Sequence, residues 1–462
     1  MKLILLSGGS GKRLWPLSND ARSKQFLRIL QGPGDRKESM VERVWRQLGE
    51  AGLQQNAYIA TGAAQEELLR SHVGQDVPII IEPERRDTFP AIALAAVYLY
   101  SVAGMRLDEA VAILPVDPYV ETSFFSKVHE LEQVLQHSAA ELALIGVKPT
   151  YPSEKYGYIV PASPSDELDS QRAEAAYCHV SRFTEKPDTA QAETLISQSA
   201  LWNCGVFAFK LGYLINLLIE KRLPIQYDEL LKQYGTLVKT SFDYEVVEQA
   251  ERIVALPYEG FWKDLGTWNT LTEEMGVTLL GNGKMTQDSE NTHIVNELGV
   301  PITVIGLSNV VVAASPDGIL VSDKASSPRI KDVMKHDDQR PMFEERRWGR
   351  YFVLDHMESP EGEQVMTKRV SLNAGKNFSY HYHNGRSEVW TIVSGEGQMV
   401  LDHRYLDVKA GDVIQIPAGS KHTLLALTDM EVIEVMRGAK LDEEDIVRLG
   451  LEWEPILQFC TT

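Results

Sequence analysis

The 462-residue sequence predicts an α/β domain with a mixed, mostly parallel sheet and flanking helices, then a short β-rich linker and a C-terminal β-barrel. This length exceeds what one ordinary core accommodates and indicates two or three domains. Strand-like and helix-like segments alternate up to about residue 150, which is typical of a parallel sheet covered by helices. From about residue 345, short strands separated by glycine and proline favour a small barrel. We place the domains at 1–275, 276–340 and 341–462.

The first predicted strand ends in a glycine-rich turn that suits a polyphosphate. The turn contains Gly8, Gly9 and Gly11, whose backbone N–H groups have no Cβ beside them to block a ligand. Arg13 adds a planar donor for phosphate oxygens, and Lys24 adds a second cation. The spacing matches neither G-x-x-x-x-G-K-[ST] nor G-x-G-x-x-G. Taken alone, the loop could equally be a glycine-rich turn with solvated basic side chains.

Composition excludes several classes of partner. The chain has 46 Lys and Arg against 65 Asp and Glu, and its net charge of −19 repels a nucleic-acid backbone. No apolar run approaches the ~20 residues that a membrane span needs, and the N-terminal apolar stretch is too short for a signal peptide. Cys178, Cys204 and Cys460 are too scattered for a disulfide framework. We therefore expect no nucleic-acid or membrane partner and a cytoplasmic protein.

Local signals define the elements of the first domain in order. Ser39 and Glu42 form a capping box for the helix that follows, and Thr88 opens a second, buried helix. Ala110–Leu114 predicts a buried strand that ends just before Asp117. Because ligands gather at the carboxyl ends of strands in open α/β sheets, we expect the glycine turn and Asp117 to share one site.

The later segments predict further layers. Tyr156–Pro161, Tyr177–Glu185 and Cys204–Phe209 indicate strands of an added substrate-binding layer in the first domain. Residues 276–335 indicate short β turns that link two bodies. Asp442–Leu449 predicts a helix packed on the outside of the barrel.

Two carboxylates are candidate metal ligands. Asp117 follows a strand, and Asp264 lies in the aromatic segment Phe261–Trp268, so each charge is costly unless it is matched. Mg²⁺ prefers one or two carboxylates together with phosphate oxygens and water. For each aspartate by itself, a capping or turn role is the alternative.

Other groups suit a sugar phosphate. Glu185 could accept hydrogen bonds from sugar hydroxyls, and Lys186 could hold a phosphate. Gly157 permits close approach, and Asn203 offers an amide that orients a hexose. A surface ion pair and ordinary turn chemistry are the alternatives.

Taken in order, these segments resemble the mannose-1-phosphate guanylyltransferases of the long bacterial type over nearly all of residues 1–275. The segments that carry the resemblance are Gly8–Leu17 with Lys24–Leu27, Glu82–Ile92, Leu114–Asp117, Tyr156–Tyr158, Phe183–Pro187, Trp202–Gly205 and Trp262–Trp268. The resemblance implies transfer of GMP from GTP to mannose 1-phosphate, by Mg²⁺-assisted in-line displacement that releases pyrophosphate.

The resemblance also implies roles for single residues. Arg13 and Lys24 would stabilise the phosphates, and Asp117 and Asp264 would hold Mg²⁺. The implied substrate-binding residues are Gly8, Gly9, Gly11, Glu82, Arg86, Asp87, Thr88 and Pro90 for GTP, and Gly157, Glu185, Lys186 and Asn203 for the sugar phosphate.

Three positions depart from the family pattern. Lys12 stands where a small hydroxyl residue is usual, Asp87 where Asn is usual, and Pro118 where His is usual. The last two belong to the implied base pocket and metal site, so nucleotide and sugar preference stay open. The alternatives are a nucleotidyltransferase for another sugar 1-phosphate, such as glucose or a heptose, and a sugar-nucleotide sensor without turnover.

The C-terminal region carries a second constellation, which resembles both cupin motifs. It reads Gly375-x₅-His381-x-His383-x₄-Glu388-x₆-Gly395 and then Gly411-x₅-Pro417-x-Gly419-x₂-His422. Residues two apart on a strand share a face, so His381 and His383 can join Glu388 and His422 in one pocket. Such ligands are compatible with Zn²⁺, Fe²⁺, Mn²⁺ or Ni²⁺. Polar residues in the mouth of a metal-free barrel are the alternative.

In the long guanylyltransferases this region is a phosphomannose isomerase, and Arg347–Arg350 and Asp442–Arg448 resemble its flanking signatures. The resemblance implies interconversion of mannose 6-phosphate and fructose 6-phosphate. Val389 replaces the histidine of the family's Arg-Ala-Glu-His-Trp, and Ala426 stands where Asn is common. An active isomerase and a metal-binding barrel without turnover both stay open. We expect a homodimer or a larger homo-oligomer.

Overall fold

The computed structural model describes residues 1–9, 12–19, 21–162, 177–336, 340–442 and 445–458. It divides into two compact units: Met1–Arg13 with Ser23–Gly276, and Leu14–Arg22 with Val277–Thr462. The segment Leu14–Arg22 therefore belongs to the second unit although both of its chain neighbours belong to the first. No helix in the described ranges is long and apolar enough to cross a membrane.

The first unit is built on a mixed sheet with helices on its faces, which confirms the predicted fold class. The strands, in spatial order, are Ile79–Glu82, Ala57–Gly62, Lys2–Leu6, Ala110–Pro115, Leu201–Lys210, Leu142–Val147, Ile253–Tyr258, Cys178–Thr184 and Tyr158–Pro161. The first four strands are parallel to one another, the pair Leu142–Val147 and Ile253–Tyr258 is also parallel, and the remaining pairings are antiparallel. The parallel strands bring their carboxyl ends to one edge of the sheet.

Helices cover both faces of this sheet. They span Met40–Glu50, Glu66–Val73, Thr88–Ser101, Phe124–His137, Thr189–Ser197, Leu211–Glu220, Tyr227–Gln233, Phe242–Glu245 and Trp268–Glu274. The predicted capping box is confirmed: the N–H of Glu42 donates to Oγ of Ser39 (3.2 Å), and the N–H of Ser39 donates to Oε2 of Glu42 (2.8 Å). Thr88 begins the next long helix, as predicted.

The core of the first unit lies on both sides of the sheet. Leu3 and Leu5 join the apolar cluster on one face, and Ile4 joins the cluster on the other. Because successive strand residues point to opposite faces, the unbroken apolar run at the start of the chain is buried on both sides. This burial anchors the strand from which the glycine turn emerges.

The predicted added layer is wrong. Tyr158–Pro161 and Cys178–Thr184 extend one edge of the main sheet, and Leu201–Lys210 lies inside it, between Ala110–Pro115 and Leu142–Val147. These strands pair with the same sheet because their backbone N–H and C=O groups are satisfied there. The site they form is therefore part of the central sheet.

In the second unit, the region predicted to form β turns contains short strands instead, and most of these strands pair in parallel. Leu279–Gly281, His293–Asn296 and Val310–Ser315 pair in parallel, Gly318–Asp323 pairs antiparallel with the last of them, and Gly283–Met285 pairs with Ile302–Val304. Ile294, Val304 and Val312 form their small core. The short helix Ile330–Val333 follows.

The C-terminal part of the second unit is the predicted barrel of two facing sheets. One contains Phe343–Arg346, Gly349–Glu358, Gln364–Leu372, Met430–Gly438, Arg386–Ser394 and Val413–Ile416; the other contains Arg404–Lys409, Glu396–Leu401, His422–Ala426, Tyr380–Tyr382 and Val447–Gly450. The β-rich C-terminal fold is thus confirmed. The short helix Trp453–Leu457 follows the last strand.

The helix predicted at Asp442–Leu449 is wrong. Val447–Gly450 is a strand that pairs with Tyr380–Tyr382, and residues 443 and 444 lie outside the described residues. The unpaired edge of Tyr380–Tyr382 offers backbone partners, and this tertiary pairing overrides local helix propensity.

Candidate functional site

Asp117 and Asp264 meet across a short two-stranded ladder. Pro118–Val120 pairs antiparallel with Trp262–Asp264, and Asp264 lies directly opposite Pro118. The ladder follows the buried strand Ala110–Pro115, so both acids are placed at the carboxyl edge of the parallel strands. The two distant acids are therefore brought together as predicted.

Lys24 lies between these acids. Its Nζ is 2.8 Å from Oδ2 of Asp117 and 3.3 Å from Oδ1 of Asp264. The ammonium is largely buried, whereas about a third of each carboxylate side chain is exposed, 33% for Asp117 and 29% for Asp264. Part of each carboxylate side chain is consequently accessible to solvent.

The charges of this group are mutually dependent. Burial opposes the charged form of Lys24, but the two carboxylates more than offset it and raise its pKa. Burial would likewise raise the pKa of Asp117, yet Lys24, with a smaller contribution from Arg13, lowers it. One ammonium thus faces two carboxylates. The surplus negative charge and the partly exposed carboxylates fit a divalent cation. Carboxylate oxygens are the donors that Mg²⁺ prefers.

The glycine turn lies beside Glu82. A Cβ on Gly8 would stand 3.5 Å from Oε1 of Glu82, and Oε2 of Glu82 accepts a hydrogen bond from the hydroxyl of Tyr234 at 2.7 Å. Burial raises the pKa of Glu82. Gly9 is exposed, and its carbonyl accepts a hydrogen bond from Oγ of Ser23. Gly11 lies outside the described residues.

The rest of the predicted base-binding stretch makes local contacts. Arg86 donates to the carbonyl of Leu237 at 2.8 Å, and the side chain of Asp87 accepts from the N–H of Thr88 at 2.8 Å. Thr88 accepts from the N–H of Phe242 through its hydroxyl at 2.8 Å, and Pro90 is buried. These contacts order the start of the helix Thr88–Ser101.

The predicted sugar-phosphate residues form a second cluster. The N–H of Asn203 donates to the carbonyl of Gly157 at 2.8 Å, and Oε1 of Glu185 pairs with Nζ of Lys186. Oε2 of Glu185 is buried and has no hydrogen-bond partner among the described residues. A Cβ on Gly157 would meet that oxygen at 2.5 Å. A larger residue at this position would therefore displace the side chains of Glu185 and Phe183.

Asp243 belongs to this cluster, although the sequence reasoning did not select it. Its Oδ1 accepts from Nδ2 of Asn203 at 2.7 Å, while Oδ1 of Asn203 accepts from the N–H of Gly205 at 3.0 Å. Burial, with the nearby charge of Glu185, raises the pKa of Asp243 to about 6. In the sequence Asp243 reads as an ordinary acid in the first turn of a helix capped by Ser241, so no local signal distinguished it.

We predict that Asp243 makes stability depend on pH. Its folded-state pKa lies above the ordinary value, so the folded state holds an extra proton between about pH 4 and 6, and stability falls as pH rises through that window. At 1.36 kcal/mol per pKa unit, the free energy of unfolding should fall by roughly 3 kcal/mol as pH rises through this window. Asp243→Asn should lack this decrease. Thermal unfolding of both proteins from pH 4 to 8 measures the difference. Parallel pH profiles of the two proteins would contradict it.

The barrel holds a separate cluster of metal-binding side chains. His381 and His422 lie opposite each other on paired strands, and the ligand atoms of His381, His383 and His422 lie within 4.8 Å of one another. Oε1 of Glu388 is 3.3 Å from Nε2 of His383, and its Oε2 is 3.5 Å from Nε2 of His422. All four predicted cupin residues are therefore buried together.

Backbone carbonyls orient the three imidazoles. Nδ1 of His381 contacts the carbonyl of Ser379 at 2.7 Å, and Nδ1 of His422 contacts that of Ser420 at 2.9 Å. Nδ1 of His383 contacts the carbonyl of Asp445. A carbonyl can only accept, so each Nδ1 carries a proton, and in the neutral ring Nε2 is the nitrogen with a lone pair for a ligand. This donor set fits a divalent transition metal.

Sequence comparison identifies the first unit. The family model described as nucleotidyl transferase matches residues 2–279. The chain belongs to the nucleotidyl transferase family. A second model, described as mannose-6-phosphate isomerase C-terminal, matches residues 334–451.

Relatives of this nucleotidyltransferase share its whole length. The alginate biosynthesis protein AlgA of Pseudomonas aeruginosa is 30% identical over 98% of each chain, and a mannose-1-phosphate guanylyltransferase of Escherichia coli K12 is 28% identical over 97% of each. A crystal structure described as a mannose-1-phosphate geranyltransferase from Thermus thermophilus superposes with a TM-score of 0.61 at 26% identity, covering 73% of this chain and 99% of its own. The chain therefore has the two-part organisation of the long bacterial guanylyltransferases.

The protonation states of the clustered side chains in the barrel of this nucleotidyltransferase suit metal binding. Burial, with the neighbouring imidazoles, lowers the pKa of His381, and burial lowers that of His383. Burial opposes the charge of Glu388, but His422 and Arg386 hold its pKa well below the ordinary value. Neutral imidazoles and an ionised carboxylate are the states that ligate a metal.

Arg386 and Glu434 complete the pocket, although the sequence reasoning did not select them. Nε of Arg386 donates to Oε1 of Glu388 at 2.9 Å, and its Nη2 lies 3.1 Å from Nε2 of His383. A cation bound to these atoms competes with Arg386 for them. Burial, with the charge of Glu388, raises the pKa of Glu434 to about 8. Glu434 also accepts from Nε1 of Trp390 at 3.2 Å.

Valine at position 389 does not remove an imidazole from the pocket. Glu388 and Trp390 are buried, whereas Val389 between them is 37% exposed. Alternate residues of a strand face opposite sides, so a histidine at this position would point away from the cluster. Ala426 is fully buried in the apolar core of the barrel.

Proposed function

We propose that this nucleotidyltransferase transfers GMP from GTP to mannose 1-phosphate and yields GDP-mannose and pyrophosphate. One observation carries the proposal: Asp117 and Asp264 flank Nζ of Lys24 at the sheet edge from which the glycine turn emerges. The full-length similarity to proteins named mannose-1-phosphate guanylyltransferase supports the choice of nucleotide and sugar.

The reaction is a single in-line displacement. An oxygen of the sugar 1-phosphate forms a bond to the α-phosphorus of GTP, the bond from that phosphorus to the bridging oxygen of the β-phosphate breaks, and pyrophosphate leaves with the electron pair. Positioning and charge neutralisation supply the rate, so no covalent nucleophile is required.

The residues around the glycine turn would hold the triphosphate. Backbone N–H groups at Gly8 and Gly9 approach the phosphates, and Arg13 supplies a planar positive group. Lys24 holds the two acids in place and balances part of their charge. A Mg²⁺ held by Asp117 and Asp264 would neutralise charge on the phosphates.

The second cluster would hold the sugar phosphate. The unpartnered oxygen of Glu185 accepts a sugar hydroxyl, and Lys186 pairs with the anionic group. Asp243 fixes the orientation of the Asn203 amide, so the amide presents a defined face to the hexose. Glu82 and the stretch to Pro90 would border the base and ribose.

Pyrophosphate release tests the proposal. GTP with mannose 1-phosphate should support the fastest turnover, and ATP, UTP and CTP with mannose 1-phosphate are the nucleotide controls. Faster turnover with glucose 1-phosphate or a heptose 1-phosphate would shift the assignment to another sugar nucleotidyltransferase. Binding of GDP-mannose without any pyrophosphate release would indicate a sensor.

We further propose that the barrel is a metal-dependent phosphomannose isomerase. The match to the isomerase model and the buried cluster of three histidines and one glutamate support it. Zn²⁺, Fe²⁺, Mn²⁺ and Ni²⁺ all suit these ligands, and such a metal would polarise sugar oxygens while a base moves a proton. Conversion of mannose 6-phosphate to fructose 6-phosphate, measured with each metal, tests this activity.

We predict that His381→Ala separates the two activities. Loss of one of the clustered imidazoles should abolish metal retention in the barrel and, with it, isomerase turnover, because a partial ligand set binds weakly. Pyrophosphate release should stay within about twofold of wild type, since His381 belongs to the second unit. Metal analysis of the purified protein and both assays measure the outcome. Equal loss of both activities would contradict independent sites.

The proposal also includes a cytoplasmic homodimer or larger homo-oligomer. Sedimentation at several protein concentrations and cell fractionation test these two points.

A further inference from the structure

The segment Leu14–Arg22 links two residues of the proposed transferase site, yet it folds with the second unit. Arg13 precedes this segment directly, and Lys24 follows it by two residues. The segment that joins these two residues therefore makes its own contacts within the second unit. The inference that follows rests on the proposed function of Arg13 and Lys24.

Arg22 anchors the C-terminal end of the segment. Its Nη1 donates to Oε2 of Glu297 and its Nη2 to Oε1, both at 2.9 Å, in a bidentate pair. The guanidinium lies 4.8 Å from the ring centre of Phe343, and Glu345 is 4.0 Å away. The Arg22 side chain is only 7% exposed. A planar fork that is buried and paired at both terminal nitrogens fixes the position of the backbone it leaves.

Other contacts fix the middle of the segment. Nδ2 of Asn19 donates to Oδ2 of Asp317 at 2.6 Å, and Oδ1 of the same aspartate accepts the N–H of Met342 at 2.6 Å. Oγ of Ser315 donates to the carbonyl of Pro16 at 2.6 Å. Asp317 thus joins the segment to the chain that enters the barrel.

A close approach at Gly318 fixes the other side of the segment. A Cβ on Gly318 would come within 2.5 Å of the indole ring of Trp15, and φ of this glycine is +151°. Any larger residue would displace the indole. The segment is therefore packed against the strands of the second unit at Trp15 as well as bonded to them.

The position of Arg22 passes to the transferase site through two peptide units. Ser23 follows immediately, and its Oγ donates to the carbonyl of Gly9 in the glycine turn. Lys24 comes next, with its ammonium between Asp117 and Asp264. Consecutive Cα atoms are ~3.8 Å apart, so a displaced Arg22 displaces both contacts. A misplacement of ~1 Å at a reacting centre can lower turnover by about a hundredfold.

We propose that the Arg22–Glu297 ion pair is a positioning device for nucleotidyl transfer: the second unit holds Leu14–Arg22 so that Ser23 and Lys24 keep the glycine turn and the two acids in register. Neither residue touches a substrate in this scheme. The second unit is thereby required for the full rate of nucleotidyl transfer, whether or not the barrel is an active isomerase.

The test compares Glu297→Gln and Arg22→Lys with a matched control in the same unit. Glu363→Gln removes the carboxylate that Arg437 contacts at 2.6 Å in an exposed pair of the barrel. Glu297→Gln should lower kcat for pyrophosphate release by about tenfold to a hundredfold, with KM for mannose 1-phosphate unchanged. Arg22→Lys keeps the charge but loses the bidentate geometry and should lie between Glu297→Gln and wild type. Glu363→Gln should behave like wild type.

Hydrogen exchange supplies a readout that does not depend on activity. Peptides spanning residues 14–24 should exchange faster in Glu297→Gln than in wild type or Glu363→Gln, while metal retention by the barrel stays unchanged. Unaltered exchange, unaltered kcat, or a loss of kcat that only follows the unfolded fraction would overturn the inference. If wild type releases no pyrophosphate, the proposed function fails, and the exchange result still decides whether Glu297 holds the segment.

Discussion

Asp264→Asn should lower the rate of pyrophosphate release by about a thousandfold without unfolding the first unit. At 1.36 kcal/mol per tenfold in rate, this loss corresponds to roughly 4 kcal/mol of transition-state stabilisation. The change keeps the size of the side chain and its place opposite Pro118 but removes one of the two negative charges proposed to hold Mg²⁺.

The same change also leaves Lys24 with a single ionic partner. Its Nζ lies 3.3 Å from Oδ1 of Asp264, and the amide oxygen of asparagine can still accept a hydrogen bond there. The fold should therefore be kept, because about a third of the side chain is exposed and no buried group loses its hydrogen-bond partner. The measured defect should lie in kcat at saturating GTP and in the Mg²⁺ concentration that gives half-maximal rate.

Asp108→Asn is the matched control for Asp264→Asn. Asp108 carries the same side chain in an exposed ion pair with Arg106, and 71% of it is accessible to solvent. Its substitution should leave turnover within about twofold of wild type, since exposed ion pairs contribute little. Near-normal turnover of Asp264→Asn would remove this residue from the metal site.

Lys24→Met should lower turnover by about a hundredfold and also destabilise the protein. Methionine has a similar length but cannot balance Asp117 and Asp264, so two adjacent carboxylates lose their cation. Breaking a fully buried pair costs roughly 3–5 kcal/mol; partial exposure of the acids reduces our expectation to roughly 2 kcal/mol. Thermal unfolding and pyrophosphate release measure the two effects.

The destabilisation by Lys24→Met should depend on pH. In wild type the pKa of Asp117 is lowered, so its pairing stabilises the fold above the ordinary aspartate pKa and that contribution is lost as pH falls through the folded-state value. The difference in unfolding midpoint between wild type and Lys24→Met should thus be largest near pH 7 and shrink toward acid pH.

Lys127→Met is the matched control for Lys24→Met. Lys127 pairs with Glu130 at 2.8 Å on the helix Phe124–His137, outside the site. Its substitution should change neither turnover nor the pH profile measurably. An unchanged rate for Lys24→Met, or a destabilisation that grows toward acid pH, would contradict the assigned ion pair.

Much of the candidate site could be predicted because its residues carry local signals. An apolar strand that ends in glycines, a strand that ends before Asp117, and an acid among aromatic residues at Asp264 each indicate a strand-end site. The four barrel ligands were predictable for the same reason, since alternation along a strand brings His381 and His383 to one face. Their backbone partners, such as the carbonyl of Ser379, required the fold.

Other residues of the sites had no signal of their own. Asp243 reads as a helix-start acid, and only the packing of its helix against Asn203 gives it a role. Glu434 reads as an ordinary strand residue until the barrel closes around Glu388. Arg386 stands at the arginine of the family's Arg-Ala-Glu-His-Trp segment, but its contact with Glu388 required the fold. Val389 read as a lost imidazole because sequence reasoning did not assign the face of its strand.

The amino-acid sequence by itself determined the α/β and barrel fold classes and the chemistry of the principal acids, bases and imidazoles, because these depend on apolar periodicity and residue type. The tertiary structure alone decided the membership of Leu14–Arg22 in the second unit, the extension of the central sheet by Tyr158–Pro161, and the ion pair of Arg22 with Glu297. Each of these depends on pairing between residues far apart in the chain. Such pairing is selected by burial and by hydrogen-bond satisfaction in the whole fold, which local patterns do not encode.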